Sequence, residues 1–188
     1  MYNFNLHIPT RIHFGKGTIS YLSELKNYGK KVLLVYGGGS IKKDGIYDTA
    51  MEFLKSVDIE VIELGGVEPN PKIDLVRQGV ELCKKEKVDF ILAVGGGSVI
   101  DSAKLIGVAS KSTEDPWRFS IQEVKPKNTI PVGVILTISA SGSELSSSCV
   151  ISNPVGKLKR GFNSEIMRPV FAIMNPEITY SVSKRQTG

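Results

Sequence analysis

A doubly wound α/β fold, with a mainly parallel sheet and one added β-hairpin, is predicted by three features of this chain. Short apolar runs of strand length alternate with segments of helical period. Two of those runs end in one shared tetrapeptide, Gly37-Gly38-Gly39-Ser40 and Gly95-Gly96-Gly97-Ser98, just before a helical pattern begins. A glycine turn between strand and helix lets the backbone approach an anion closely and aims helix N-terminal amides at it. Two such turns in one chain suggest a dinucleotide.

The elements follow in order. Alternation from Phe4 to Phe14 predicts one or two half-buried strands, closed by Gly15-Lys16-Gly17. Lys31–Tyr36 is a continuous apolar run and predicts a buried strand; Ile46, Ala50, Phe53 and Val57 then recur at helical spacing. Val61–Leu64 predicts a strand, Ile73, Val76, Val80 and Cys83 one face of a helix, and Phe90–Val94 the strand that enters the second glycine turn. A helix starts near Val99. The segment 110–128, with two prolines, Trp117 and mixed charge, reads as a surface connection. Ile130–Leu136 is a further buried strand and empties into Thr137-Ile138-Ser139-Ala140-Ser141-Gly142-Ser143-Glu144, a loop rich in small hydroxylated residues. Cys149–Ser152 and Lys159–Phe162 flank Asn153-Pro154-Val155-Gly156 as a hairpin, and Val170–Met174 adds one strand. Strands alternating with helices imply parallel βαβ units, whose ligands bind at the carboxyl ends of the strands.

Composition narrows the function classes. The 188 residues, 41% hydrophobic and 23% charged, suit one compact domain over 1–188. No apolar stretch reaches the roughly 20 residues that span a bilayer, and the N-terminus lacks a signal-peptide pattern, so a cytoplasmic protein without a membrane partner is expected. Cys83 and Cys149 are too few for a disulfide framework and read as buried thiols of a reducing compartment. The net charge of +5 is scattered along the chain, which argues for solvated faces and against nucleic acid.

Within the second turn, the amides of Gly96 and Gly97 are expected to face a pyrophosphate while Ser98 caps the following helix. Asp101 would repel a phosphate if aimed at it, so it is expected to fix loop amides or a polyol; a first-turn acid complementing the helix dipole is the alternative. In the first turn, Gly38, Gly39 and Ser40 stand where many dinucleotide folds place an acid on the adenosine ribose. Hydroxyl, amides and the ammonium groups of Lys42 and Lys43 there favour NADP(H) over NAD, although solvated lysines on an ordinary turn fit the same residues.

Gly95-Gly96-Gly97-Ser98-Val99-Ile100-Asp101-Ser102-Ala103-Lys104, preceded by Pro69-Asn70-Pro71 and followed by Leu136–Glu144, resembles the iron-containing (group III) alcohol dehydrogenases, in particular their NADPH-dependent butanol dehydrogenase and aldehyde reductase group. The resemblance implies an N-terminal dinucleotide-binding domain followed by an all-helical domain that carries a divalent metal, iron or zinc. It implies that Gly96, Gly97 and Ser98 contact the pyrophosphate and that Asn70 lines the cleft near the nicotinamide. It also implies that Thr137 and Ser141 hydrogen-bond the cofactor, and that Lys159, ahead of Lys157, contacts the nicotinamide ribose. Family members often have Thr where Ser141 stands. The implied reaction is hydride transfer between NADPH and a small aldehyde or primary alcohol, in a homo-oligomer when full length.

The departure from the family concerns the metal, which is held there by one aspartate and three histidines. This chain has only His7 and His13, which read as strand or surface histidines, so no metal ligand and no catalytic residue is expected within it. It is expected to be an N-terminal portion, inactive alone. NAD-using enzymes similar to dehydroquinate synthase or glycerol dehydrogenase, and a non-catalytic nucleotide-binding module, are the competing readings.

Overall fold

Runs that are apolar at every position become strands covered on both faces, and the sheet is built from them. The structure, a computed structural model, describes residues 3, 5 and 7–180. Its elements are β1 (Arg11–Phe14), β2 (Lys31–Tyr36), α1 (Ser40–Lys43), α2 (Ile46–Ser56), β3 (Glu60–Leu64), α3 (Ile73–Glu86), β4 (Phe90–Gly95), α4 (Gly97–Ser110), α5 (Pro116–Ser120), β5 (Val132–Leu136), β6 (Ser148–Asn153), β7 (Leu158–Asn163) and β8 (Phe171–Met174), joined in part by 3-10 turns. Six strands form one parallel sheet in the order β1-β8-β5-β4-β2-β3, and β6 and β7 pair antiparallel as a separate ribbon.

Alternate residues of each strand go to opposite faces. Leu33, Val35, Ile91, Ala93, Val132 and Val134 pack with α3 and α4, whereas Val32, Leu34, Phe90, Leu92, Val94 and Ile135 pack with α2 and the 3-10 helix Thr18–Asn27. From β2 the chain moves to one side for β3, then returns past β2 and builds β4 and β5 on the other. The direction of winding therefore reverses between β2 and β4, the two strands that end in the glycine turns. Open α/β sheets bind ligands at such a reversal, outside the carboxyl ends of the strands.

Two predicted regions differ from the structure. The connection 110–128 holds the helix α5, whose start is fixed by the Asp115 side chain accepting from the Trp117 amide at 2.9 Å and by Pro116 in the first turn. Its Phe119 is 1% exposed, so this segment is partly core and not only surface. The predicted N-terminal alternation yields β1, in which His13 is buried between exposed Ile12 and Phe14; residues 4 and 6 lie outside the described residues. The hairpin forms as expected, as do the strand-glycine-helix junctions. Cys83 and Cys149 are free and buried, and burial pushes the Cys83 thiol up to about 11. Among the described residues no helix is long and apolar enough to cross a membrane.

Candidate dinucleotide site

Backbone hydrogen bonds lace the turns at the crest of the sheet. Thr137 N–H donates to the Gly95 carbonyl at 3.1 Å, and Gly66 N–H donates to the Gly37 carbonyl at 3.1 Å. Between the turns after β2 and β4 lies a cavity of about 390 Å³ whose lining includes Gly37, Ser40, Lys43, Asp44, Gly95, Gly96, Thr137 and Ile138. Residues named for both turns and for the hydroxyl loop thus meet around one opening.

The second turn is tight because its glycines touch the hydroxyl loop. A Cβ on Gly96 would overlap Ile138 Cγ2, and one on Gly97 would overlap Ser141 Oγ. Gly96 is the residue before α4 and Gly97 its first residue; the Val99 and Ile100 amides donate to the Gly96 carbonyl at 3.0 and 3.2 Å, which leaves the Gly97 and Ser98 amides at this end without an intrahelical acceptor. Ser98 does not cap the helix as expected: the cap position is Gly96, no side chain bonds there, and Ser98 sits inside the first turn. With the cap left to a glycine, no side chain occupies those two amides, and an uncapped helix N-terminus suits an anion; of this turn, Gly95, Gly96 and Val99 line the cavity.

In the first turn Gly39 has φ +101°, a conformation L residues rarely adopt, and a Cβ on Gly38 would meet nothing within 4 Å. Gly38 and Gly39 therefore border open space, while Gly37 and Ser40 on either side of them line the cavity. The two lysines have separated. Lys42 Nζ lies 4.5 Å from the Tyr47 ring centre, 5.2 Å from that of Tyr36 and 3.7 Å from Glu63 Oε2. The Tyr47 and Tyr36 hydroxyls donate to Glu63 at 2.7 and 2.8 Å, and the Tyr47 bond leads in holding the Glu63 carboxyl below its usual range. Lys43, by contrast, lines the cavity.

Asn70 and Lys159 are not among the residues that line this cavity; Asn70 has φ +56° between its two prolines, and Pro71 is pinned by Ser152 N–H donating to its carbonyl at 2.8 Å. This brings β7 alongside, and Lys159 Nζ donates to Asn70 Oδ1 at 2.6 Å. Of the two candidate lysines, Lys159 makes this bond, while Lys157 sits in the hairpin turn with φ +51°.

Asp101 fixes the loop. Its Oδ1 accepts from the Ser143 hydroxyl at 2.6 Å and its Oδ2 from Val150 N–H at 2.9 Å; burial raises its pKa against those two bonds. It ties α4 to the hydroxyl loop and β6 and is not among the cavity-lining residues. One turn farther along α4, Lys104 is fully buried and points its ammonium into the same segment. Lysine invites assignment to a solvated face, but the signal was present: from Val99 to Ala109 α4 is apolar or small on all sides except at Asp101 and Lys104.

No group of three or more His, Cys, Asp or Glu able to hold a metal occurs among the described residues. His13 stacks on Tyr21 with ring centres 3.8 Å apart, in a buried pocket that lowers its pKa, and is far from the glycine turns in the fold's order, on the edge strand β1. The metal implied by the resemblance does not fit the residues present here.

A six-stranded parallel sheet with helices on both faces, carrying paired glycine turns at its winding reversal, defines a doubly wound α/β unit. The chain belongs to the iron-containing alcohol dehydrogenase family, whose model matches residues 9–176. It is 47% identical over 188 residues to a probable NADH-dependent butanol dehydrogenase 1 of Bacillus subtilis, covering 100% of this chain and 49% of that one. It is 46% identical over 191 residues to the NADPH-dependent aldehyde reductase YqhD of Escherichia coli, again covering 100% and 49%. Among solved structures, NADH-dependent butanol dehydrogenase A of Thermotoga maritima superposes with a TM-score of 0.97 at 44% identity, over 100% of this chain and 48% of that chain. The chain spans about half the length of the curated relatives it matches.

Proposed function

We propose that this chain is the cofactor-binding part of an NADP(H)-dependent alcohol dehydrogenase or aldehyde reductase acting on a small aldehyde or primary alcohol. Relatives named for NADH and for NADPH are about equally similar to it, so likeness does not choose between the cofactors. The observation that carries the choice is the first turn, where Gly38, Gly39 and Ser40 present no carboxylate and Lys43 lines the cavity. A 2′-phosphate meets no carboxylate on those three residues and has an ammonium in reach. Asp44 lines the same cavity.

The cofactor, when bound, supplies or accepts hydride at its nicotinamide ring. This chain's residues bind and orient it: the first-turn amides of α4 hold the pyrophosphate, Thr137 and Ser141 offer hydroxyls, and the Asn70–Lys159 pair faces the nicotinamide end. No proton or metal step is assigned to these residues. The test is a calorimetric titration of the 188-residue chain with NADPH and, separately, NADH. Saturable binding that favours NADPH by tenfold or more supports the reading; preference for NADH overturns the cofactor assignment, and no binding of either overturns the site.

A further inference from the structure

Asp101 and Lys104 stand three residues apart on one face of α4, the helix whose N-terminus is the pyrophosphate turn. Lys104 Nζ donates to the carbonyl oxygens of Ser143 at 2.5 Å, Ser146 at 2.8 Å and Ser148 at 3.0 Å, and lies 3.0 and 3.2 Å from the hydroxyls of Ser143 and Ser146. An ammonium has three protons, so three backbone carbonyls consume them all. The segment so gathered is the base of the hydroxyl loop, whose tip, residues 139–142, is exposed and includes Gly142 at φ +68°. Resting on the nucleotide-site reading above, we infer that Lys104 is a positioning residue that yokes the hydroxyl loop to the pyrophosphate turn and so holds Thr137 and Ser141 in register with Gly96 and Gly97.

Stability does not account for a charge at this position. The side chain is 0% exposed, and desolvation pulls its pKa down to about 8, against the opposing fields of Asp101 on α4, Cys149 on β6 and Glu144 in the loop, with Arg168 adding to the fall. A methionine of similar length would avoid that desolvation, and buried charges are often no more stable than apolar replacements. What the ammonium supplies is direction, three carbonyls drawn to one point. Glu144 fits the same picture: it is buried, its Oε2 has no hydrogen-bond partner, and its charge favours the ammonium of Lys104 through the field. The single helix α4 thereby carries the phosphate-facing amides at its start and the anchor of the opposing loop two turns later.

The test compares the full 188-residue chain with Lys104→Met by amide hydrogen exchange, thermal midpoint and NADPH titration. The expected pattern is split: exchange across residues 141–148 accelerates tenfold or more and NADPH affinity falls at least tenfold, while the amides of β4 keep their protection and the midpoint moves by only a few degrees. Unchanged loop exchange overturns the inference. So does uniform acceleration that includes β4, because Lys104 would then hold the whole fold and not the loop. If Lys104→Met does not fold, Lys104→Gln, which keeps two donor protons without the charge, is expected to show the same split at smaller amplitude; loss of the fold in both variants overturns the inference. Should the unaltered chain bind no nucleotide, the site reading fails while the exchange measurement still decides the role of Lys104.

Discussion

Gly96→Ala puts one methyl group where the phosphate turn meets the hydroxyl loop. The backbone permits it, since φ −95° and ψ −166° are ordinary for alanine. The obstacle is Ile138, whose Cγ2 occupies the place of the new Cβ. Ile138 is β-branched, so its branch methyl cannot swing aside without an unfavourable χ1, and the loop itself must shift. Overpacking of this kind costs about 1–3 kcal/mol. Loss of glycine's freedom in the unfolded chain offsets about 0.4–1 kcal/mol of that. The net, about 0.5–2 kcal/mol, corresponds to a fall in thermal midpoint of roughly 1–8 °C at about 2–4 °C per kcal/mol for a chain of this size. Nucleotide affinity should suffer more than stability, because the displaced loop carries Thr137 and Ser141 with it; a loss of tenfold or more is expected, where each factor of ten is about 1.4 kcal/mol. Differential scanning fluorimetry and NADPH titration on Gly96→Ala, Ile138→Ala and the double variant close a double-mutant cycle. Since Ile138→Ala removes the obstructing methyl, the double variant should recover about 1 kcal/mol relative to the sum of the singles. Additive effects, or a Gly96→Ala chain that binds NADPH as before, would show that the contact between turn and loop does not shape the cleft.

Three other outcomes are expected. Lys43→Ala should weaken NADPH about tenfold and NADH by less than about threefold, whereas Lys42→Ala, already engaged by Tyr36, Tyr47 and Glu63, should leave the ratio of the two affinities unchanged by calorimetry. Lys159→Ala removes an exposed side chain and should change unfolding free energy by less than about 0.5 kcal/mol while lowering nucleotide affinity; equal affinity would remove Lys159 from the site. For pH, the folded pKa of Lys104 near 8 lies below its ordinary value of 10.5, so between those limits the unfolded chain binds more protons and stability from this group rises with pH. The stability of the unaltered chain relative to Lys104→Met should therefore increase from pH 8 to pH 10, by on the order of 1–3 kcal/mol in urea unfolding. A flat difference would contradict the burial of a titrating amine.

The parts legible in the sequence are those where one signal dominates. Strands buried on both faces, such as Phe90–Gly95, show as unbroken apolar runs, and the glycine turns mark their ends. Local start signals were outweighed in two places: Asp115-Pro116 opens a helix inside a segment that reads as loop by composition, and Thr18–Asn27, a 3-10 helix, has no period that would announce it. Within the site, side chains that could face a ligand were named from the motifs, and the structure brings both turns and the hydroxyl loop to one cavity. The underpinning was harder to read. Asp101 accepting from Val150, Lys104 chelating three serine carbonyls and Lys159 meeting Asn70 all join residues dozens of positions apart, and only the packing of the hairpin and α4 against the sheet determines which of them meet.

The parallel pairing of β1 with β8 joins the two ends of the described chain. During synthesis, therefore, the sheet cannot be completed until Phe171–Met174 has left the ribosome, and until then β5, buried along its whole length in the finished fold, is a bare edge with its pairing groups on offer. The last strand of the described sheet in chain order is thus also its seal, and a nascent or clipped chain lacking it would present neighbouring polypeptides with an apolar strand ready to be paired.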